Sequence, residues 1–433
     1  MNFLTCLRFI KMRIQTLRAF QSRNYRLYFS GQSISLIGTW MQRTAVYWVI
    51  YERTGSSFML GLTVFAAQFP SFLLSIIGGV VSDRYNRYRV LLTTQVASLI
   101  QATLLTILVA TGKYEVWHIL ALTTVLGAIN AFDVPARQAM IYDMVKNKFH
   151  VPNAIALNSS MVHLARIIGP ALSGIVLEAV GAAACFTINA TSFLAVIVSL
   201  LLMHLPPYKR AERTTNAITD MKEGFTYLMN TPSISMVVLM LAFVSLLSLP
   251  YVTLLPVYAG EVFHGDASTF GYLNSFVGLG AICGAIFLAS LKPGSRLGKI
   301  LIINTILFGI GLLAFSHLTS LPLALLFLVL TGFGMMSQTT ISNTIIQLTV
   351  VPSMRGRVLS YYAMVFFGMQ PIGSLLIGAL SQYAGAADTV LAQGVITILI
   401  ALAFAPLLRR RELKPKDKMK IEQLKERSVE TTG

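Results

Sequence analysis

Along this chain, apolar runs long enough to cross a bilayer alternate with short polar breaks. A helix needs about 20 predominantly apolar residues to span the hydrocarbon core. Runs of that order occur at 27–50, 59–81, 90–111, 116–140, 154–180 and 183–204. A polar stretch at 205–232 holds Lys209, Arg210, Glu212, Arg213, Asp220, Lys222 and Glu223. Six more apolar runs follow, at 233–258, 268–290, 299–317, 320–345, 357–382 and 387–408. They are too long and too little alternating for barrel strands. The pattern predicts an all-α polytopic membrane protein with twelve transmembrane helices. It divides the chain into an N-terminal tail (1–26), a six-helix half (27–204), a linker (205–232), a second six-helix half (233–408) and a C-terminal tail (409–433).

Charge sharpens this reading. Only 12% of the residues are charged against 55% hydrophobic, and mean hydropathy is +0.69. Soluble domains carry about 25% charge. The net charge of +17 would suit a nucleic-acid partner in a soluble chain, but here it follows the spans. With the N-terminus inside, 29 of the 34 Lys and Arg fall in segments on the cytoplasmic side, and only Arg53 and Lys113 fall outside. That bias is the positive-inside rule. It puts both termini in the cytoplasm of a cell-membrane protein and assigns no nucleic acid as partner. The basic N-tail lacks the apolar run and cleavage site of a signal peptide; it suits an amphipathic helix on the membrane surface.

The halves echo each other. Pro152 precedes Asn153-Ala154-Ile155-Ala156-Leu157-Asn158-Ser159, and about 200 residues later Pro352 precedes Ser353-Met354-Arg355-Gly356-Arg357. Gly169-Pro170-Ala171-Leu172-Ser173-Gly174 in span five is echoed by Gln370-Pro371-Ile372-Gly373-Ser374 in span eleven. Two parallel six-helix halves are the architecture of alternating-access secondary transporters.

Between spans two and three the chain reads Gly79-Val80-Val81-Ser82-Asp83-Arg84-Tyr85-Asn86-Arg87-Tyr88-Arg89. Gly79 allows close helix approach. Asp83 ends a helix, where the dipole disfavours a carboxylate unless it is paired, and Arg84, Arg87 and Arg89 offer partners. This stretch resembles the signature loop of the major facilitator superfamily, Gly-x-x-x-Asp-Arg-x-x-Arg. That resemblance implies a twelve-helix transporter whose loop is a cytoplasmic latch favouring the outward-open state. The corresponding loop of the second half, 292–299, keeps its bases and has no acid. Gly31-Gln32-Ser33-Ile34-Ser35-Leu36-Ile37-Gly38-Thr39-Trp40-Met41-Gln42 and Asn130-Ala131-Phe132-Asp133-Val134-Pro135-Ala136-Arg137-Gln138-Ala139 are similar to the drug:proton antiporter branch, which contains the enterobactin exporter and macrolide efflux proteins. In span five, Gly169, Pro170 and Gly174 resemble the exporters' Gly-x-x-x-Gly-Pro-x-x-Gly-Gly motif, with Ala165 and Ser173 departing from it.

Charges inside the spans are few. Each costs roughly 2.5–3.5 kcal/mol at mid-bilayer on insertion scales. Asp133 is the one acid well inside a span, with Arg137 one turn later and Arg166 near mid-depth of span five. One reading makes Asp133 the proton carrier, with Arg137 or Arg166 as its alternating partner; the other makes it a permanent structural pair. The substrate cavity belongs between the halves at mid-membrane, and its candidates are Gln42, Arg43, Gln338, Asn343 and Gln370. Trp40, Phe69, Tyr251 and Phe366 are aromatic candidates for its lining, set against simple packing roles. Arg43 and Arg166 favour an anionic or polar-aromatic, siderophore-like substrate over a simple organic cation.

Other chemistry is not indicated. Cys6, Cys185 and Cys283 are far apart, the six histidines form no metal motif, and residues 294–300 miss the phosphate-loop spacing. The expected function is secondary active, proton-coupled efflux of a small siderophore-like or macrolide-like molecule, in the bilayer, with the proton gradient as energy source and no cofactor, metal or catalysis. Uptake of a siderophore or other metabolite is the alternative, and a membrane enzyme or scaffold the different-class alternative. A monomer suffices for this, and the sequence leaves oligomeric state open.

Overall fold

The computed structural model describes residues 17–205, 217–292 and 294–410. Among them there is no strand. Long helices cover each apolar run. Spans one to six are Arg23–Thr54, Ser57–Arg84, Arg87–Thr111, Val116–Met144, Val151–Ala179 and Ala182–Leu201. Spans seven to twelve are Pro232–Val262, Ala267–Ala289, Leu297–Ser316, Leu321–Thr349, Arg355–Ala384 and Ala386–Arg410. Spans five and eleven, which the repeated sequence pairs, are each entered through one 3-10 turn, Lys148–His150 and Pro352–Met354.

Eleven of these segments are apolar enough to cross a membrane by composition; span one is the exception. Its polar and small residues Gly31, Gln32, Ser35, Gly38, Gln42 and Thr44 are buried. They face protein, so the helix needs no apolar surface there. Gln42 takes a hydrogen bond from Asn189 of span six (2.8 Å) and donates to Gln101 of span three (3.2 Å).

Span seven is not the uninterrupted helix its hydropathy predicts. It runs as α-helix to Phe243, a π-turn Val244–Ser248, a 3-10 stretch Leu249–Leu254, and a second π-turn Tyr258–Val262. Pro250 and Pro256 explain this: each lacks an N–H and clashes with the carbonyl four residues earlier. Span twelve anchors the irregular stretch. Gln393 of span twelve donates to the Leu247 carbonyl (2.8 Å), and Thr397 donates to Ser248 Oγ (2.7 Å). Irregular backbone at membrane depth is tolerated only when it is satisfied in this way.

The linker includes a helix, Ala217–Asn230, that docks on the start of span eleven. Arg357 donates to Glu223 (2.6 Å), and Tyr361 Oη donates to the Met221 carbonyl (2.8 Å). The side of the molecule bearing this helix is called the linker face, and the opposite side the far face.

Two crossings join the halves: span two against span eleven, and span five against span eight. Small residues let the backbones approach without an apolar driving force. In the first crossing Ser381 Oγ donates to Ser57 Oγ (3.2 Å), and Gly378 faces Gly61. In the second a Cβ added at Gly174 would lie 3.3 Å from Gly271 Cα. Nearer the far face Trp48 stacks on Phe270 (6.2 Å between centroids), and the Tyr51 ring covers Gly260. Toward the linker face the first crossing reaches Phe72 against Gly368, while a Cβ on Gly79 would meet nothing within 4 Å. The far face is closed, and the contacts between the halves named here run from it to about mid-depth, at Phe72 and Gly368.

Candidate functional site

Asp133 lies about 17 Å along span four from its Met144 end, at 1.5 Å per residue. It is 2% exposed. Arg137, one turn on, forms its ion pair. Span three completes the shell: Gln95 Nε2 donates to the carboxylate at 2.7 Å and Thr94 Oγ1 at 2.9 Å. The sequence reading missed Thr94 and Gln95; their signal was a polar pair on one apolar span, one helix removed from the acid.

Arg166 does not join this shell. Span five packs chiefly on spans one and eight, not on span four. Measured along their helices from the far face, Arg166 lies at about 20 Å and Asp133 at about 26 Å. Arg166 instead places its guanidinium 5.2 Å from the centre of the Trp40 ring. Arg43 sits 5.2 Å from that same ring and 5.6 Å from Tyr47, whose hydroxyl accepts its Nε (3.0 Å). The two arginines therefore share one indole. Among the described residues neither forms an ion pair. Tyr251, on the irregular part of span seven, is an electrostatic neighbour of Arg166. It is fully buried, and its hydroxyl has no hydrogen-bond partner.

The remaining cavity candidates divide. Gln42 is corrected: it is locked between spans three and six and is 2% exposed. Gln338 is 0% exposed with both amide atoms unpaired. It lies one turn from Gly334, which packs on Phe308 of span nine, and so belongs to the interior of the second half. Asn343 is half-buried and accepts from Gln347 (2.6 Å). Gln370 is half-buried. Phe69 stacks on Phe65 and Phe366 on Tyr362, which are packing roles.

In the signature loop, Arg87 pairs with Asp143 at the end of span four (3.5 Å). Arg84 and Arg89 are exposed. The Asp83 side chain lies outside the described residues. The close approach expected of Gly79 belongs to its neighbour: a Cβ on Gly78 would run into the Ala131 carbonyl and lie 3.3 Å from Phe132 Cα. In span five, Gly169 seats against Trp40 and the Ile37 carbonyl, Gly174 against span eight, and Pro170 sits inside the helix between them.

A profile described as transmembrane secretion effector matches residues 14–432. The chain belongs to that family, in the efflux branch of the major facilitator superfamily. Its relatives include the staphyloferrin A transporter of Staphylococcus aureus, 26% identical over 90% of this chain and 97% of that one. Macrolide efflux protein A of Streptococcus pyogenes is 21% identical over 90% and 99%. The multidrug efflux pump Tap of Mycolicibacterium fortuitum is 22% identical over 84% and 91%. Among solved structures, an inward-facing bacterial homologue of the human lysosomal transporter Spinster superposes with a TM-score of 0.71 at 15% identity, covering 89% and 97%. The nucleoside transporter NupG does so with 0.71 at 11% identity, covering 88% and 98%. These establish the fold. Family membership makes the protein an integral-membrane transporter of the bacterial plasma membrane with a small-molecule substrate.

Proposed function

We propose that this protein is a proton-driven exporter that moves a small organic molecule, siderophore-like or drug-like, out of the cell by alternating access. The secretion-effector family and the relatives named for efflux support the direction. The basic residues assign the linker face and both termini to the cytoplasm, so the arrangement described above is closed toward the outside. In that reading Arg87 and Asp143 belong to the latch that draws the cytoplasmic ends together in the opposite state.

Asp133 carries the proposal. An ionised carboxylate held by Arg137, Thr94 and Gln95 has a defined charged state. A proton on it cancels the charge that Arg137 balances. Removing one partner of a buried pair costs about 3–5 kcal/mol, enough to tie the proton to a change in how spans three and four sit. The proton gradient then supplies the energy.

The test uses proteoliposomes with an imposed pH gradient and a pH-sensitive dye. Substrate-dependent proton flux is expected to vanish in Asp133→Asn and to persist in Asp133→Glu. Proton-coupled transport unchanged in Asp133→Asn refutes the assignment. In cells, substrate accumulates on gene deletion if the protein exports; depletion on deletion means uptake.

A further inference from the structure

Arg43 and Arg166 are the two intramembrane charges that the coupling scheme leaves unused. By helix rise they lie about 17 Å and 20 Å from the far-face ends of spans one and five, so both sit near mid-membrane at matching depth. Charges are costly at that depth, and two like charges add repulsion. The Trp40 ring under both arginines and the Tyr47 ring and hydroxyl on Arg43 offset part of this, but none of them supplies a negative charge. Acids do not make up the difference. Asp133 is held by Arg137, and the exposed Glu52 and Glu178 lie at the far-face ends of spans one and five.

The location also points to a ligand. Spans one and five meet at Gly169 and Trp40. One turn before Gly169, Arg166 stands where span five crosses to the other half: Ser275 of span eight donates to the Ile167 carbonyl (3.0 Å). The other half contributes the orphan Tyr251 hydroxyl from a stretch of broken helix, the kind of element that forms transporter binding sites. Two guanidiniums thus meet over one indole with a single neutral acceptor, the Tyr47 hydroxyl on Arg43, and the unpartnered Tyr251 hydroxyl is contributed by the other half.

We propose that Arg43, Arg166 and Tyr251 form the substrate's anion-binding site, and that the transported molecule is a small organic polyanion bearing at least two carboxylates. A guanidinium matches a carboxylate in a two-pronged hydrogen bond. Both guanidiniums lie 5.2 Å from the one ring centre, so they are at most twice that distance apart. Two carboxylates of a single small molecule can therefore engage both. The Tyr251 hydroxyl donates to a third acceptor. This inference rests on the exporter reading for its physiological meaning but is tested separately.

Trp40 is one of three tryptophans, so a Trp48→Phe/Trp117→Phe background reports from inside the site. Purified full-length protein is titrated with citrate, with acetate as a single carboxylate and with tetraphenylphosphonium as an organic cation. Citrate is expected to change Trp40 emission saturably, with acetate far weaker and the cation inert. Arg43→Gln and Arg166→Gln should each weaken citrate about ten- to a hundredfold, the loss of one charge-assisted hydrogen bond. Arg→Lys at the same positions should recover part of it, and unchanged melting of each variant confirms folding. A citrate response that survives in the double Gln variant, no response to any di- or tricarboxylate, or a response to the cation alone overturns the proposal. Proton-driven export of a cation that still requires Asp133 would sink this inference and spare the exporter reading. Polycarboxylate binding without pH-driven transport would do the reverse.

Discussion

Gly174→Ala isolates the contact that closes the far face. A Cβ there would lie 2.8 Å from Ser268 Cα, 2.9 Å from the Ala267 carbonyl oxygen and 3.3 Å from Gly271 Cα. All three atoms are backbone of span eight, so no side chain can rotate away. Within its own helix the substitution is favourable, since Ala exceeds Gly by about 1 kcal/mol in helix propensity. The N-terminal half keeps its stability, and the crossing between halves takes the clash. Overpacking of this kind costs about 1–3 kcal/mol, which shifts a two-state equilibrium about 5- to 150-fold. The arrangement closed at the far face should give way to its opposite. Spin labels on Tyr85→Cys and Ser360→Cys, at the linker-face ends of spans two and eleven, read the change as a shorter distance. The background lacks Cys6, Cys185 and Cys283. Gly79→Ala is the control, because its Cβ meets nothing within 4 Å and should not push the molecule out of the observed arrangement. If Gly174→Ala keeps the wild-type distance distribution and instead lowers the melting temperature, the clash is absorbed within a half and the reasoning fails.

Two further outcomes follow from local geometry. Asp266 caps span eight: its carboxylate accepts the Ser268 hydroxyl (2.6 Å) and the N–H groups of Ser268 and Thr269 (3.0 and 3.1 Å), and these hold its pKa below the usual value, the Ser268 hydroxyl foremost. A lowered pKa means the contribution is present above the unfolded value of about 4 and is lost as pH falls through the folded one. Asp266→Ala should cost about 0.5–2 kcal/mol at neutral pH and flatten that part of the stability–pH curve in thermal melts. At the linker, Glu223→Gln removes a partly exposed ion pair worth under about 1 kcal/mol and should leave hydrogen exchange in Ala217–Asn230 nearly unchanged. Gly224→Val, whose Cβ would lie 2.9 Å from Arg357 Cβ, should raise that exchange sharply.

The fold was legible because bilayer thickness sets a length that apolar runs must meet, and here they meet it repeatedly. Two helices show where that signal thins. Span one, placed at 27–50 with the other apolar runs, carries too much Gly, Ser and Gln to match them in hydropathy. Its polarity is explained by partners in spans three and six that no single sequence window contains. Span seven erred in the other direction. Its hydropathy is high throughout, and hydropathy does not register that Pro250 and Pro256 remove backbone bonds. The residues that make the break tolerable, Gln393 and Thr397, stand about 145 positions away in the chain.

For the site, depth was legible and azimuth was not. Counting residues gives Asp133, Arg43 and Arg166 their positions along the spans, but each step along a helix turns the side chain by about 100°. That turn separates Gln42, sealed into the first half, from Arg43, which shares the Trp40 ring. It also separates Gly78, pressed on the Ala131 carbonyl, from Gly79, which touches nothing. Whether Arg166 pairs with Asp133 was undecidable for the same reason: the answer depends on span five packing between spans one and eight, a choice made by Gly169, Gly174 and Gly271 rather than by any charge. The small residues thus place the charges. They decide which arginine balances the acid and leave the other two together.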